Sequence, residues 1–301
     1  MRHEGRIEEQ SRTVPLSGPV LVATDLRPGS DEALRQGHAL ASALEGPLHV
    51  CHVMPDLLTV RMLFPQVQQR DDAAVQDLEQ HAADLVRVSV ERLTGRPPRD
   101  FRAAVVSGSP HSGILRHAET MEAGIVVVGA GNVAERVVRH ARSPVLVARA
   151  SPRGVVLAAT DFSDSALPAV AAGAAEASRR RVGFAVLHSL DFEPVMMGTY
   201  GGAYAMVPPF TPVDRARFRE ETRTALQRAL ALVGAEGATI VTDGAPATAI
   251  LETARTLPAE LVVVGTIGRT GLSRLALGSV AEAVVRRAPC STLVIRLHAG
   301  K

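Results

Sequence analysis

The chain repeats itself. Val22-Ala23-Thr24-Asp25-Leu26 returns as Ala158-Ala159-Thr160-Asp161-Phe162, an offset of 161 − 25 = 136 residues. The same offset carries Gly37 onto Gly173, His52 onto His188, and Gly108-Ser109-Pro110 onto Gly244-Ala245-Pro246. Ile125-Val126-Val127-Val128-Gly129 lands on Leu261-Val262-Val263-Val264-Gly265, again at 136. The register then jumps, and Val133-Ala134-Glu135 matches Val280-Ala281-Glu282 at 280 − 133 = 147. Chance does not hold one register for so long, so the fold is one unit built twice. The second copy carries 147 − 136 = 11 residues that the first lacks.

Each copy alternates strand-sized apolar runs with helical stretches. In the second copy, Val155–Thr160 and Val182–Leu187 read as strands, with an Ala-rich helix to about Arg180 between them. Residues 191–212 are rich in Gly, Met, Tyr and Pro and read as loop, and Val213 to Val233 has helical spacing through Phe218, Leu226, Leu230 and Val233. Thr239–Thr242, Leu261–Gly265 and Thr292–Arg296 give three more strands, separated by helices over Ala247–Thr256 and Ser279–Arg287. Strands alternating with helices require crossover connections, hence an open parallel sheet with helices on both faces. The continuous Val/Ile/Leu runs fit strands buried on both sides. The expected organisation is a disordered tail over 1–15, a first domain over 16–150, a linker at 151–154 and a second domain over 155–298.

Composition removes several chemistries. The only lysine is Lys301, so a Walker-type Gly-Lys loop and Schiff-base catalysis are excluded. Charge is nearly balanced, 33 basic against 31 acidic residues, and aromatics are 3% with no Trp; neither a nucleic-acid nor a membrane surface is expected. No apolar run approaches the roughly 20 residues of a membrane span, and the N-terminus has no apolar signal segment. Cys51 and Cys290 are too few for a disulfide framework or a zinc site and sit in apolar runs, as buried inert thiols do. A cytoplasmic location follows as the expectation.

The 11 extra residues lie between a strand and a helix, the ligand end of an open parallel sheet. The stretch runs Gly265-Thr-Ile-Gly268-Arg269-Thr-Gly271-Leu-Ser273-Arg274-Leu-Ala-Leu-Gly278-Ser279. Glycines let backbone amides approach an anion, Ser279 opens a helix whose free N–H groups favour phosphate, and Arg269 and Arg274 add charge without lysine. Spacing alone leaves two readings, a phosphate or nucleotide site and a structural glycine-rich turn. The pattern Gly-x2-Gly-x9-Gly-Ser, after Val-Val-Val and before Val-Ala-Glu-x-Val-Val-Arg, resembles that of the ATP-binding universal stress proteins. Thr160-Asp161-Phe162-Ser163 and Leu187-His188 extend the resemblance, which covers nearly the whole chain as two copies.

That resemblance implies two tandem Rossmann-like, five-stranded open parallel sheets of the adenine nucleotide alpha-hydrolase-like kind. It implies an ATP site, with Mg²⁺ where the phosphates need it, in which Asp161 and Ser189 line the adenine and ribose and the glycines and Ser279 hold the phosphates. The set expected to touch the nucleotide is Ala159, Thr160, Asp161, Ser189, Gly265, Gly268, Arg269, Gly278, Ser279 and Val280. It also implies a nucleotide-responsive role in stress response rather than an assigned reaction. No general base stands in the glycine loop, so binding without efficient turnover is expected. A slow ATPase and a purely structural pseudodimer that binds protein partners are the alternatives. Single-domain family members dimerise through the last strand, so Val145–Arg149 and Thr292–Arg296 should pair within the chain; a homodimer of whole chains stays open.

The first copy departs from the pattern. It passes from Gly129-Ala130-Gly131-Asn132 straight into a helix, with Asp25 kept but no phosphate cradle, and reads as a partner that has lost ATP. Val128 to Ala134 imitates a dinucleotide Gly-x-Gly-x-x-Ala fingerprint, yet the following strand ends at Val147-Ala148-Arg149 with no carboxylate after it until Asp161, and the shortened repeat already explains it. Among ten histidines, His111 and His117 are six apart and share no helix face, while His52 and His188 at matching strand ends read as packing or backbone hydrogen bonding. Asp71-Asp72 reads as a charge bias at a helix start. Met196, Met197, Tyr200, Tyr204 and Met206 read either as a lid or partner surface, or as a loop folded on its own domain.

Overall fold

The computed structural model describes residues 16–55, 72–163, 165–191, 211–266 and 277–296. The tail over 1–15, the Met/Tyr loop, Asp71, Gly268, Arg269 and Arg274 lie outside those residues. The first half contains β1 (Val20–Thr24), α1 (Asp31–Ala43), β2 (Leu48–Met54), α2 (Asp72–Thr94), β3 (Arg102–Ser107), α3 (Pro110–Thr120), β4 (Ile125–Gly129), α4 (Asn132–His140) and β5 (Val145–Ala148). The second repeats the order with β6 (Val155–Ala159), α5 (Leu167–Arg180), β7 (Phe184–Leu190), α6 (Pro212–Leu232), β8 (Ala238–Asp243), α7 (Pro246–Thr256), β9 (Ala259–Gly265), α8 (Ser279–Arg287) and β10 (Ser291–Ile295). The expected elements are present, with some strands longer than the apolar runs that announced them. β7, for example, continues through His188-Ser189-Leu190 because each of these polar-end residues pairs with β8, at Val241, Thr242 and Asp243.

The two five-stranded sheets join into one. Strand order is β3-β2-β1-β4-β5-β10-β9-β6-β7-β8, parallel within each half, with β5 and β10 meeting antiparallel. The pairing is symmetric: Val145 faces Val294, Leu146 faces Leu293 and Val147 faces Thr292. The expected pairing of the last strands within the chain is therefore present, and the tandem domains pair through it. Among the described residues, β3 and β8 are the sheet's edges.

Alternate residues of each central strand feed opposite faces, which is why these strands are apolar throughout rather than alternating. Val20, Val22, Ile125 and Val127 pack on one face with Leu34 and Leu40 of α1, Val86 and Val90 of α2 and, in the second half, Leu226 and Leu230 of α6. Leu21, Val126 and Val128 pack on the other with Ile114 of α3 and Val137 and Val138 of α4, as Val262 and Val264 do with α7 and α8. Gly37 and Gly173, equivalent in the repeat, have one cause. A Cβ on Gly37 would lie 2.2 Å from a methyl of Val22, and one on Gly173 would lie 3.0 Å from Ala158 Cβ, so the first helix of each half rests directly on its first strand. Residues 151–154 fall outside helices and strands but are tied down: Gly154 N–H donates to Glu260 Oε2 at 3.0 Å and Ser151 Oγ to the Glu260 carbonyl at 3.3 Å.

Three histidines make the first half acid-sensitive. Burial, then Arg96, lowers the pKa of His38; burial, Arg102 and His117 lower that of His49; burial lowers that of His117. With folded-state values below the ordinary 6.5, the unfolded chain takes up these protons first. This stabilisation is present above about pH 6.5 and is lost as pH falls through the lowered values. Denaturant unfolding at pH 7.5 and 5.5 is expected to show a drop that the combined His49→Gln and His117→Gln variant reduces. An unchanged drop in that variant contradicts the assignment.

Candidate functional site

In each half the chain leaves its first strand toward one neighbour and returns on the other side of it. In the second half β6 lies between β7 and β9, so the connections after β6 and β9 diverge: the helices they lead to, α5 and α8, pack on opposite faces. Ligands of doubly wound sheets sit outside the carboxyl ends of the strands at this point.

The residues there are set by short-range hydrogen bonds. Just past β6, Thr160 is buried, its N–H bonded to the Leu187 carbonyl and its Oγ1 accepting from the Phe162 N–H at 3.1 Å. Asp161 Oδ1 accepts from the Ser163 N–H at 3.0 Å and from Ser163 Oγ at 2.6 Å, which fixes the carboxylate against its own turn. Phe162 takes a left-handed φ of 62°, and its ring stands 4.4 Å from the imidazole of His188. His188 Nδ1 lies 2.8 Å from the Thr160 carbonyl, which only accepts, so this nitrogen carries the proton. His52 does the same to Thr24 at 2.9 Å, and Leu26 repeats the φ of 62°. Both histidines thus have the backbone hydrogen-bonding role expected of them. Ser189, on β7, is buried and donates to the Gly244 carbonyl at 2.5 Å.

Across the switch point, the ends of the long insertion meet. Gly278 N–H donates to the Thr266 carbonyl at 2.8 Å, and Thr266 N–H to Ile295 at 3.1 Å. This clasp had no sequence signal, because both partners use backbone atoms. Gly278 is the N-cap of α8 and has no side chain to cap it, so among the described residues no side chain caps the first turn at Ser279 and Val280. Its φ of −64° and ψ of 149° suit any residue. A left-handed backbone is therefore not why glycine stands at 278. A Cβ there would lie 3.2 Å from the Thr266 oxygen.

The first half is built differently at the equivalent corner. A Cβ on Gly129 would lie 2.9 Å from the carbonyl oxygen of Gly29, so the turn after β1 packs against the end of β4. Gly131 caps α4 at a φ of 147°, a conformation that favours glycine, and only two residues separate β4 from α4. Of the ten candidate residues, Ala159, Thr160, Asp161, Ser189, Gly265, Gly278, Ser279 and Val280 share the carboxyl end of the second half's sheet. Cys51 and Cys290 are buried, their thiols pushed up to about 12 and about 11 by desolvation, and are inert at neutral pH. Among the described residues no group of three or more His, Cys, Asp and Glu side chains is placed to hold a metal, and no helix is long and apolar enough to cross a membrane.

Fold and site together define a class: a doubly wound α/β unit in two copies, joined edge to edge, with a long glycine-bounded insertion at one switch point. The model of the Universal stress protein family matches residues 17–149 and again 153–296, and the chain belongs to that family. A universal stress protein of Methanocaldococcus jannaschii is 42% identical over 81 residues, 26% of this chain and 48% of its own, so that match spans about half of the relative's length. One of Mycobacterium tuberculosis is 26% identical over 311 aligned positions, covering 92% of this chain and 95% of that protein. A solved universal stress protein from Archaeoglobus fulgidus superposes with a TM-score of 0.61 at 18% identity, covering 94% of this chain and 97% of its own, and shares the fold.

Proposed function

We propose that the second half binds ATP at the β6/β9 switch point and that the chain is a nucleotide-responsive regulatory protein rather than an efficient hydrolase. The observation that carries this reading is the start of α8, without a side-chain cap among the described residues and held by the Gly278–Thr266 hydrogen bond, on the same end of the sheet as Asp161 and Ser189. An open helix N-terminus offers N–H groups and a partial positive charge to an anion, which suits a triphosphate. In this reading Ala159, Thr160, Asp161 and Ser189 hold the adenine and ribose. Gly265, Gly268, Arg269, Gly278, Ser279 and Val280 surround the phosphates. Any Mg²⁺ arrives with the phosphates, as this ion does when one or two protein oxygens suffice. Family membership supports a role in stress response, and the two-residue link from β4 to α4, where the second half carries its insertion, supports a single site per chain.

Calorimetry with two ligands tests the reading. Asp161→Ala is expected to weaken ATP and adenosine by the same factor, since the carboxylate serves the base and sugar end. Ser279→Ala removes one hydroxyl and keeps the helix N–H groups, so ATP should weaken about fivefold, or ~1 kcal/mol, with adenosine unchanged. Asp161→Ala binding adenosine as the parent does would overturn the assignment.

A further inference from the structure

We propose that Arg149, which belongs to the first half, is a positioning residue for the phosphate end of the second half's site. The proposal rests on the nucleotide reading above. α8 starts at Ser279, just after the insertion in sequence, and its other end is held from across the seam: Arg149 Nη2 donates to the carbonyl of Val285 at 2.5 Å and lies 3.5 Å from that of Arg286. Both carbonyls belong to the last turn, which has no intrahelical donors, and a guanidinium there also complements the helix dipole.

Arg149 is itself fixed. Its N–H donates to Ser291 Oγ at 3.0 Å, and its carbonyl lies 3.0 Å from the same hydroxyl and accepts from Gln36 Nε2 at 3.2 Å. Ser291 is fully buried, so these groups have no water to turn to. Arg139–Glu282 and Arg286–Glu135, each 2.9 Å apart, add exposed ion pairs between α4 and α8 that contribute little by themselves. A nine-residue helix is about 13 Å of rigid rod, so a tilt at its last turn moves the N–H groups of its first. The supporting residues of a site set its precision, and here one of them comes from the half that lacks the insertion.

The repeat provides the control. Arg296 stands 147 residues after Arg149 and makes the mirror contact, Nη2 to the carbonyls of Val138 and Arg139 at 2.6 Å each, at the last turn of α4. Removing either arginine breaks a comparable contact in the seam, but only Arg149 holds the helix that starts at Ser279, directly after the insertion in sequence. In the full chain, Arg149→Ala is expected to weaken ATP about tenfold and leave adenosine within about twofold. Arg149→Lys should recover most of the loss, because an ammonium also donates to carbonyls. Arg296→Ala should leave both ligands within about twofold of the parent. In ligand-free chains, amide exchange should quicken across 279–287 in Arg149→Ala and across 132–140 in Arg296→Ala. Equal ATP losses in the two alanine variants, no loss in either, or unaltered exchange in α8 would each overturn the proposal. If the parent binds neither ligand, the nucleotide reading fails separately, and the exchange pattern alone upholds or overturns the hold of Arg149 on α8.

Discussion

Gly278→Val is expected to cost ATP at least about a hundredfold in affinity, ~2.7 kcal/mol, while adenosine stays within about threefold of the parent. The backbone at 278 is not the obstacle, since φ −64° and ψ 149° are ordinary for valine. The obstacle is the Thr266 oxygen, 3.2 Å from where a Cβ would sit and 2.8 Å from the Gly278 N–H that donates to it. Two further methyl groups there must either push the clasp apart or turn into the space in front of the first turn of α8. Either way the N–H groups at Ser279 and Val280 lose their approach to an anion, and the β6 and β7 ends that would hold the nucleoside are untouched. Calorimetry of the variant with both ligands reads this directly. ATP affinity within about threefold of the parent would mean that the insertion is not the phosphate site.

The second large effect belongs to the seam. Leu293 is 1% exposed, faces Leu146 across the antiparallel pairing of β5 and β10, and packs in the core layer shared by both halves. Leu293→Ala should cost about 3 kcal/mol, the removed side chain's transfer energy plus the cavity it leaves. Leu232→Ala, at the end of α6 and 54% exposed, should change stability by no more than about 0.5 kcal/mol. Urea unfolding of the two variants beside the parent makes the comparison. A loss below about 1 kcal/mol for Leu293→Ala would show that the halves contact one another too loosely for the seam to transmit anything.

Much of the fold was legible in the sequence because the repeat states it twice. Apolar runs such as Ile125–Val128 and Leu261–Val264 announce strands buried on both faces, and α8 begins and ends at the residues its spacing indicates. Strand ends were harder. Ser189 and Leu190 belong to β7 through pairing with β8, an interaction between distant segments that no local pattern records. The joining of the two sheets was expected from the matching last strands, but the reciprocal arginines were not, because Arg149 and Arg296 look like ordinary strand-end charges until the register places each beneath the other half's helix. At the proposed site, Gly278 and Ser279 were legible from the glycine spacing before a helix, while Asp161 and Ser189 came only from the family resemblance. The clasp to Thr266 and the close approach of Gly29 to the end of β4 were not, since both are made by backbone oxygens that any residue carries.

One site for two copies of the fold is the central claim, and stoichiometry tests it most directly. Titrating the full 301-residue chain with ATP in the presence of Mg²⁺ should give one nucleotide per chain, with the switch point beside Gly129 contributing none. Two equivalent sites per chain, or none, would contradict it.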